Sequence, residues 1–278
     1  DPSFASVQAA GARSSSRPSS RNANANVRPT VEGETQVQTH PDTPLGDDLR
    51  FADPLVAEIV ETWRLRQDFH RAEKRLVLQA KAICRRFCDG DKTEAEKLYR
   101  AAVAETADVE VQMAIFPLLI AQQQIAKART EREKLLRKLA MRLPIYEWVK
   151  GVKGFGELGL AATVGEAGDL SRYKSVQAVW KRCGLAVIGV ERQRMRSGDA
   201  ALEQGYSPSR RAVFWTLSDS MLKAQGKDEN AGPYRRIYDA RKAYERPRVE
   251  SDGHAHNRAL RHMFKCLLRD LTAEWRKL

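Results

Sequence analysis

From position 54 onward apolar residues recur at helical spacing, while the stretch from Asp1 to about Asp48 carries almost no large apolar side chain. Leu55, Ile59, Trp63, Phe69, Leu76, Ile83 and Phe87 follow Pro54, a residue suited to a first helical turn, so a long amphipathic helix is expected there, ended by Gly90. A shorter helix over about Thr93–Ala104 precedes a second long one between Asp108 and Leu143. In that helix Ile115, Leu118, Ile125, Leu136, Leu139 and Leu143 form a seam at alternating three- and four-residue steps, broken by Gln122, Arg129 and Arg132. Such a seam asks for a partner helix, either within the chain as an antiparallel hairpin or on another chain, and periodicity leaves both open. Pro117 either kinks this helix or marks its true first turn. Later helices read at Pro208–Lys223, Pro233–Tyr244 and His256–Leu278, and only Leu185–Val190 has β character.

The pattern therefore describes a mainly α protein in three parts. Residues 1–50, with SSSRPSSRNANANVRP at their middle, form a tail that cannot bury enough apolar surface to offset ordering entropy and is expected to be disordered. Residues 51–143 form a coiled-coil helical segment, and residues 144–278 a helical domain organised around Gly151–Val187.

That stretch opens with Gly151, Gly154 and Gly156 between a short apolar helix signal at Ile145–Val149 and a helical run at Glu157–Val164. Glycine tolerates positive φ, so a tight turn between two helices, a helix-hairpin-helix unit, is expected. A helix N-terminus after such a turn presents free N–H groups and partial positive charge, which suits a phosphate oxygen. Lys150 and Lys153 flank it and add Coulomb attraction to a nucleic-acid backbone without reading sequence. A glycine-rich turn between packed helices accounts for the same residues. Downstream, Arg192, Arg194 and Arg196 alternate through a segment without helical period; one side of an extended strand facing phosphates and a solvated loop both fit.

Charge sharpens this picture. The 278 residues hold 48 Lys and Arg against 36 Asp and Glu, and all of the surplus lies beyond residue 50, where 43 basic side chains meet 30 acidic ones. A polyanionic partner is favoured. Cys84, Cys88, Cys183 and Cys266 lack C-x-x-C spacing and read as reduced thiols in a cytoplasmic protein. No run of about 18 apolar residues exists to cross a membrane, and 42% hydrophobic residues suffice for a sizeable core.

A longer composite pattern adds a resemblance. Gly154 and Gly156 are followed by Ala161-Ala162, Gly165, Gly168-Asp169, Arg172-Tyr173, Ser175, Gly184-Leu185 and Ser197-Gly198, with Gly205 and Arg210 beyond. Over about half the chain, from Pro144 to the end, this resembles the C-terminal domain of the DEDD-type insertion-sequence 110/116/902 transposase family. The resemblance implies double-stranded DNA as partner, with the use of a guide RNA left open, and a coiled coil that joins a second copy or a full-length transposase. It implies that Ser197 is the nucleophile that attacks a phosphodiester, and Arg210 fits the family's arginine; Arg192, Arg194, Arg196, Arg210 and Arg211 are expected on DNA. In the family that serine works with a RuvC-like domain whose carboxylates hold Mg²⁺. Here no apolar strand ending in Asp precedes the helices, and Asp53, Glu58, Asp68 and Glu73 read as the polar face of a helix. No cofactor is expected in this chain, Mg²⁺ is expected only with a partner nuclease domain, and strand transfer only where a partner or upstream sequence supplies that domain. The other expectation is a non-catalytic remnant or accessory protein that associates through its coiled coil.

Two further clusters hold candidate chemistry. His254, His256, His262 and Cys266 contain an i, i+4 pair that zinc accepts, but they flank a helix start with no second knuckle, and no metal site is assigned. Tyr234, Tyr238 and Tyr244 among Arg235, Arg236, Arg241 and Lys242 fit either a face that stacks on nucleic acid or a half-buried tyrosine stripe.

Overall fold

The computed structural model describes residues 53–278. The tail expected at residues 1–50 lies outside the described residues. What is described is almost wholly helical. Helix α1 (Pro54–Cys84) starts where the proline predicts, and Asp53 is its cap rather than part of its polar face: the carboxylate accepts hydrogen bonds from the backbone N–H groups of Leu55 and Val56 at 2.8 and 3.3 Å. Helix α2 (Lys92–Val103) is capped the same way by Asp91. Helix α3 (Val109–Ala140) runs through Pro117, which sits at an exposed position.

The partner of the α3 seam is α1. Arg66 pairs with Glu133 at 2.6 Å and Glu73 with Arg129 at 2.8 Å, so positions ascending along α1 meet positions descending along α3, and the two run antiparallel within one chain. The arginine that interrupts the apolar seam at 129 is thereby explained, since it bridges Glu73 and Glu133 across the helix pair. Leu136, Leu139 and Leu143 are buried against Ile59 and Trp63. At the far end Ile115 and Val111 pack with Ala80, Cys84, Ala95, Tyr99 and Ala102 in a second, smaller core that includes α2.

Beyond α3 come α4 (Tyr146–Lys150), α5 (Gly156–Ala167), α6 (Val176–Arg182), a two-stranded antiparallel ribbon of β1 (Val187–Ile188) and β2 (Glu191–Arg192), then α7 (Asp199–Gln204), α8 (Pro208–Ala224), α9 (Pro233–Glu245) and α10 (Asp252–Trp275). The β character expected over Leu185–Val190 becomes the first strand and the turn of that ribbon. The last helix begins four residues before the expected His256, because the Ser251 hydroxyl accepts from the His254 N–H and sets the start. One apolar cluster runs from Val56 and Leu136 through Leu160, Phe214 and Tyr238 to Leu271, so the α1–α3 pair and the elements after residue 144 share a core. No helix among the described residues is long and apolar enough to cross a membrane.

Candidate nucleic-acid interface

The glycine turn joins α4 to α5. Val149, Val152 and Phe155 are buried, and Phe155 packs edge-on against Phe264 of α10. Those apolar anchors pull the chain into its turn, and the backbone follows with φ of +81° at Gly154 and +55° at Gly156. Gly151 takes a right-handed φ of −74°, so its conformation does not require glycine. Gly154 is tied to packing: a Cβ there would stand 2.5 Å from the Ala224 Cβ and 2.9 Å from the Met221 Cα of α8. The Gln225 side chain donates to the Lys153 carbonyl at 2.7 Å and holds the turn on the end of α8.

The electrostatics of this turn are mixed. Lys153 is exposed, whereas Lys150 pairs with Glu147 at 2.6 Å and lies over the Tyr146 ring. Glu157 stands in the first turn of α5, where its carboxylate accepts from the Tyr146 hydroxyl at 2.6 Å. That hydrogen bond first, and its own backbone N–H second, hold Glu157 below the ordinary carboxylate range. An incoming phosphate at this helix end would meet a carboxylate already in the dipole's field.

The basic alternation after the ribbon is anchored by a residue the sequence did not single out. Gln193 is buried between Arg192 and Arg194, and its amide donates to the carbonyls of Lys181 and Gln204 while its oxygen accepts from the Ala186 N–H. With Gln193 inward, Arg192, Arg194 and Arg196 face out. Arg194 and Arg196 converge on one oxygen of Glu191, at 2.5 and 2.8 Å, which offsets one of the positive charges this face offers. Ser197 follows on the exposed loop, and Gly198, at φ +60°, starts α7. Among the described residues no group of three His, Cys, Asp or Glu side chains is placed to hold a metal ion.

A cleft of about 940 Å³ lies between α1, α5 and α8. Its centre is Glu166. The Trp63 indole N–H and the Gln67 amide donate to one carboxylate oxygen at 2.9 and 3.3 Å, Arg210 donates to the other at 3.3 Å, and Arg182 donates to the Glu166 carbonyl. Arg210 also donates to the Arg182 carbonyl. Burial pushes the Arg210 guanidinium down, with Arg182 adding to the effect and Glu166 opposing it. Arg210, expected on DNA, is thus a strut between α8 and α5. Gly165 admits this arrangement, since a Cβ there would overlap Trp63. Around the strut the cleft is lined by seven lysines or arginines and two carboxylates, Glu166 and Asp169, and Asp169 itself accepts from Trp275 and Ser171. Lys74 and Arg172 stand exposed at its edge.

Arg211, next to the strut, feels the charges of Arg261 of α10 and Arg192 of β2. The remaining clusters resolve into protein contacts. His256 shares a hydrogen bond of 2.7 Å with the Tyr238 hydroxyl, His254 accepts from Arg258, and His262 lies 3.8 Å from the Cys266 sulfur. Tyr234 and Tyr238 are buried core residues; of the three tyrosines only Tyr244 is exposed, flanked by Arg241 and Arg248. No family model, curated protein or solved structure matches this chain.

Proposed function

We propose that this chain is a double-stranded DNA-binding protein that acts in DNA transposition or recombination, corresponding to the C-terminal half of a serine-dependent insertion-sequence transposase. In this reading α1 and α3 are the coiled coil, α4 and α5 with their glycine turn the helix-hairpin-helix unit, and Ser197 the nucleophile. In this reading strand transfer takes place only where a partner or upstream sequence supplies the metal-bearing nuclease domain. The observation that carries the DNA reading is the cleft, lined by seven cationic side chains: Arg64, Arg66, Arg71 and Arg210 are paired with Glu61, Glu133, Asp68 and Glu166, and Lys74 and Arg172 stand exposed at its edge. A polyanion is the ligand such a surface fits.

The test is fluorescence anisotropy on plain duplex DNA with Lys74→Gln/Arg172→Gln, two exposed positions whose loss leaves the core intact. Affinity should fall at least tenfold at moderate salt. A double variant that binds as the wild type does would remove the cleft from the interface.

One observation favours the accessory reading. Val109, Met113, Phe116 and Ile120 of α3 are 72, 73, 59 and 43% exposed. Their steps of four, three and four place them on one stripe, the pattern of a helix seam with its partner missing. A second copy of the chain would cover it. Phe116→Asp should then abolish self-association in sedimentation while leaving the melting temperature of the monomer in place; a sedimentation profile identical to wild type contradicts the reading.

A further inference from the structure

Three arginines from three separate elements, Arg192 on β2, Arg211 on α8 and Arg261 on α10, lie close enough for their charges to act on one another. Arg211 and Arg261 are half-buried. The Nη1 nitrogen of Arg211 is fully buried and has no hydrogen-bond partner. Among the described residues no carboxylate pairs with Arg211. Gly184 presses against it, with the Arg211 Cβ 3.2 Å from where a glycine Cβ would be, and Tyr206 contributes a phenol. Burial keeps the neighbouring Cys183 thiol protonated by pushing it far up. Glu245, the one carboxylate that acts on Arg261, is already gripped by Arg241 at 2.5 Å and Arg258 at 2.9 Å.

Arg66, Arg129 and Arg210, also half-buried, are each paired with a carboxylate: Glu133, Glu73 and Glu166. The exception is physically costly, because a buried guanidinium without partner loses hydration and gains nothing in return. The cost shows in Arg211, whose pKa is pushed down to about 10 by burial first and by Arg261 second. Among the described residues no carboxylate pairs with Arg192, Arg211 or Arg261, and guanidinium groups gathered in this way suit a tetrahedral oxyanion, which accepts several N–H groups at once.

We infer that Arg192, Arg211 and Arg261 form a binding site for one phosphate group, contributed by a nucleic-acid backbone. That the phosphate belongs to nucleic acid rests on the DNA reading above; the oxyanion site itself does not. The site adds α10 to the interface, a helix whose sequence reads as a core element.

The test has two arms, each run on wild type, Arg261→Met and the surface variant Arg192→Gln. In the first, thermal melts are compared in inorganic phosphate and in chloride at matched ionic strength. Phosphate should raise the wild-type melting temperature by several degrees and leave both variants unmoved, while Arg261→Met melts no lower than wild type in chloride, because an uncompensated charge has been relieved. Equal phosphate stabilisation of wild type and variants overturns the site, as does none in wild type. In the second, the salt dependence of duplex binding is measured, and each variant should lower the log–log slope by about 0.9, the loss of one phosphate contact. Variants that lose the phosphate response yet bind duplex with an unchanged slope overturn the nucleic-acid assignment. A wild type that binds no DNA refutes the proposed function instead, and the first arm still judges the socket.

Discussion

Gly154 and Gly156 separate packing from binding in the turn that the sequence places at the centre of the molecule. Both have positive φ, so alanine at either position carries the same kind of backbone strain, roughly 1–2 kcal/mol, offset by about 0.4–1 kcal/mol from the stiffer unfolded chain. They differ in what the new methyl meets. At 156 it enters open space, whereas at 154 it lands 2.5 Å from the Ala224 Cβ and 2.9 Å from the Met221 backbone. Backbone cannot swing aside as a flexible side chain can, so overpacking adds about 1–3 kcal/mol at Gly154 alone. For a domain of this size, about 2–4 °C per kcal/mol converts the difference into some 2–12 °C. Thermal melts followed by circular dichroism should therefore place Gly154→Ala clearly below Gly156→Ala. Two variants with equal melting temperatures would show that the turn does not rest on α8. Gly156→Ala then becomes the clean probe of phosphate contact. Its methyl stands beside the N-terminus of α5, where a close phosphate would be displaced, and unchanged duplex binding by this stable variant would remove the turn from the interface.

Other substitutions probe the remainder. Leu136 is fully buried between α1 and α3, so Leu136→Asp combines a cavity with a buried charge and should cost at least ~4 kcal/mol; a wild-type melting temperature would refute the seam. Glu133 is held below its ordinary value of 4.5: burial opposes this, but the hydrogen bonds and charges of Arg66 and Arg129 outweigh it. A carboxyl depressed in the fold stabilises above its unfolded value and loses that contribution as pH falls through the folded one. Glu133→Gln should thus cost about 1–3 kcal/mol near neutrality and flatten the decline of stability below pH ~4.5, and urea midpoints that fall with pH as in wild type would contradict this. Ser197→Ala removes one exposed hydroxyl, so duplex binding should stay within about twofold while strand joining with a metal-bearing partner disappears; joining at the wild-type rate would make Ser197 a turn residue.

Regular, strongly periodic elements were legible in the sequence. Pro54, the α2 pattern and the apolar spacing of α8 and α9 put helices within a residue or two of where they lie. The short α6 and α7 were missed, because seven and six residues are too few for a period, although the cap at Ser175 was there to be seen. The antiparallel pairing of α1 with α3 was one of two open choices, and the charges that accompany it were not legible: Arg129 looks like an interruption until Glu73 and Glu133 are beside it. Glu166 was invisible for the same reason. Its partners lie 44 to 103 residues away in sequence, at Arg210, Gln67 and Trp63, and only the folded chain brings them together. The alternation of Arg192, Arg194 and Arg196 was readable, but not their fates: Glu191 takes two of them and the third joins Arg211 and Arg261. Tyr234 and Tyr238, which carry a basic-aromatic look in sequence, are core residues because α9 lies on α10.

The most direct measurement is the affinity of the wild-type chain for two duplexes of unrelated sequence, followed by anisotropy across a salt series. Backbone recognition by a basic cleft predicts a straight log–log fall with a slope of several, at about 0.9 per phosphate contacted, and the same slope for both sequences. Absence of binding at low salt, or an affinity indifferent to salt, would contradict it.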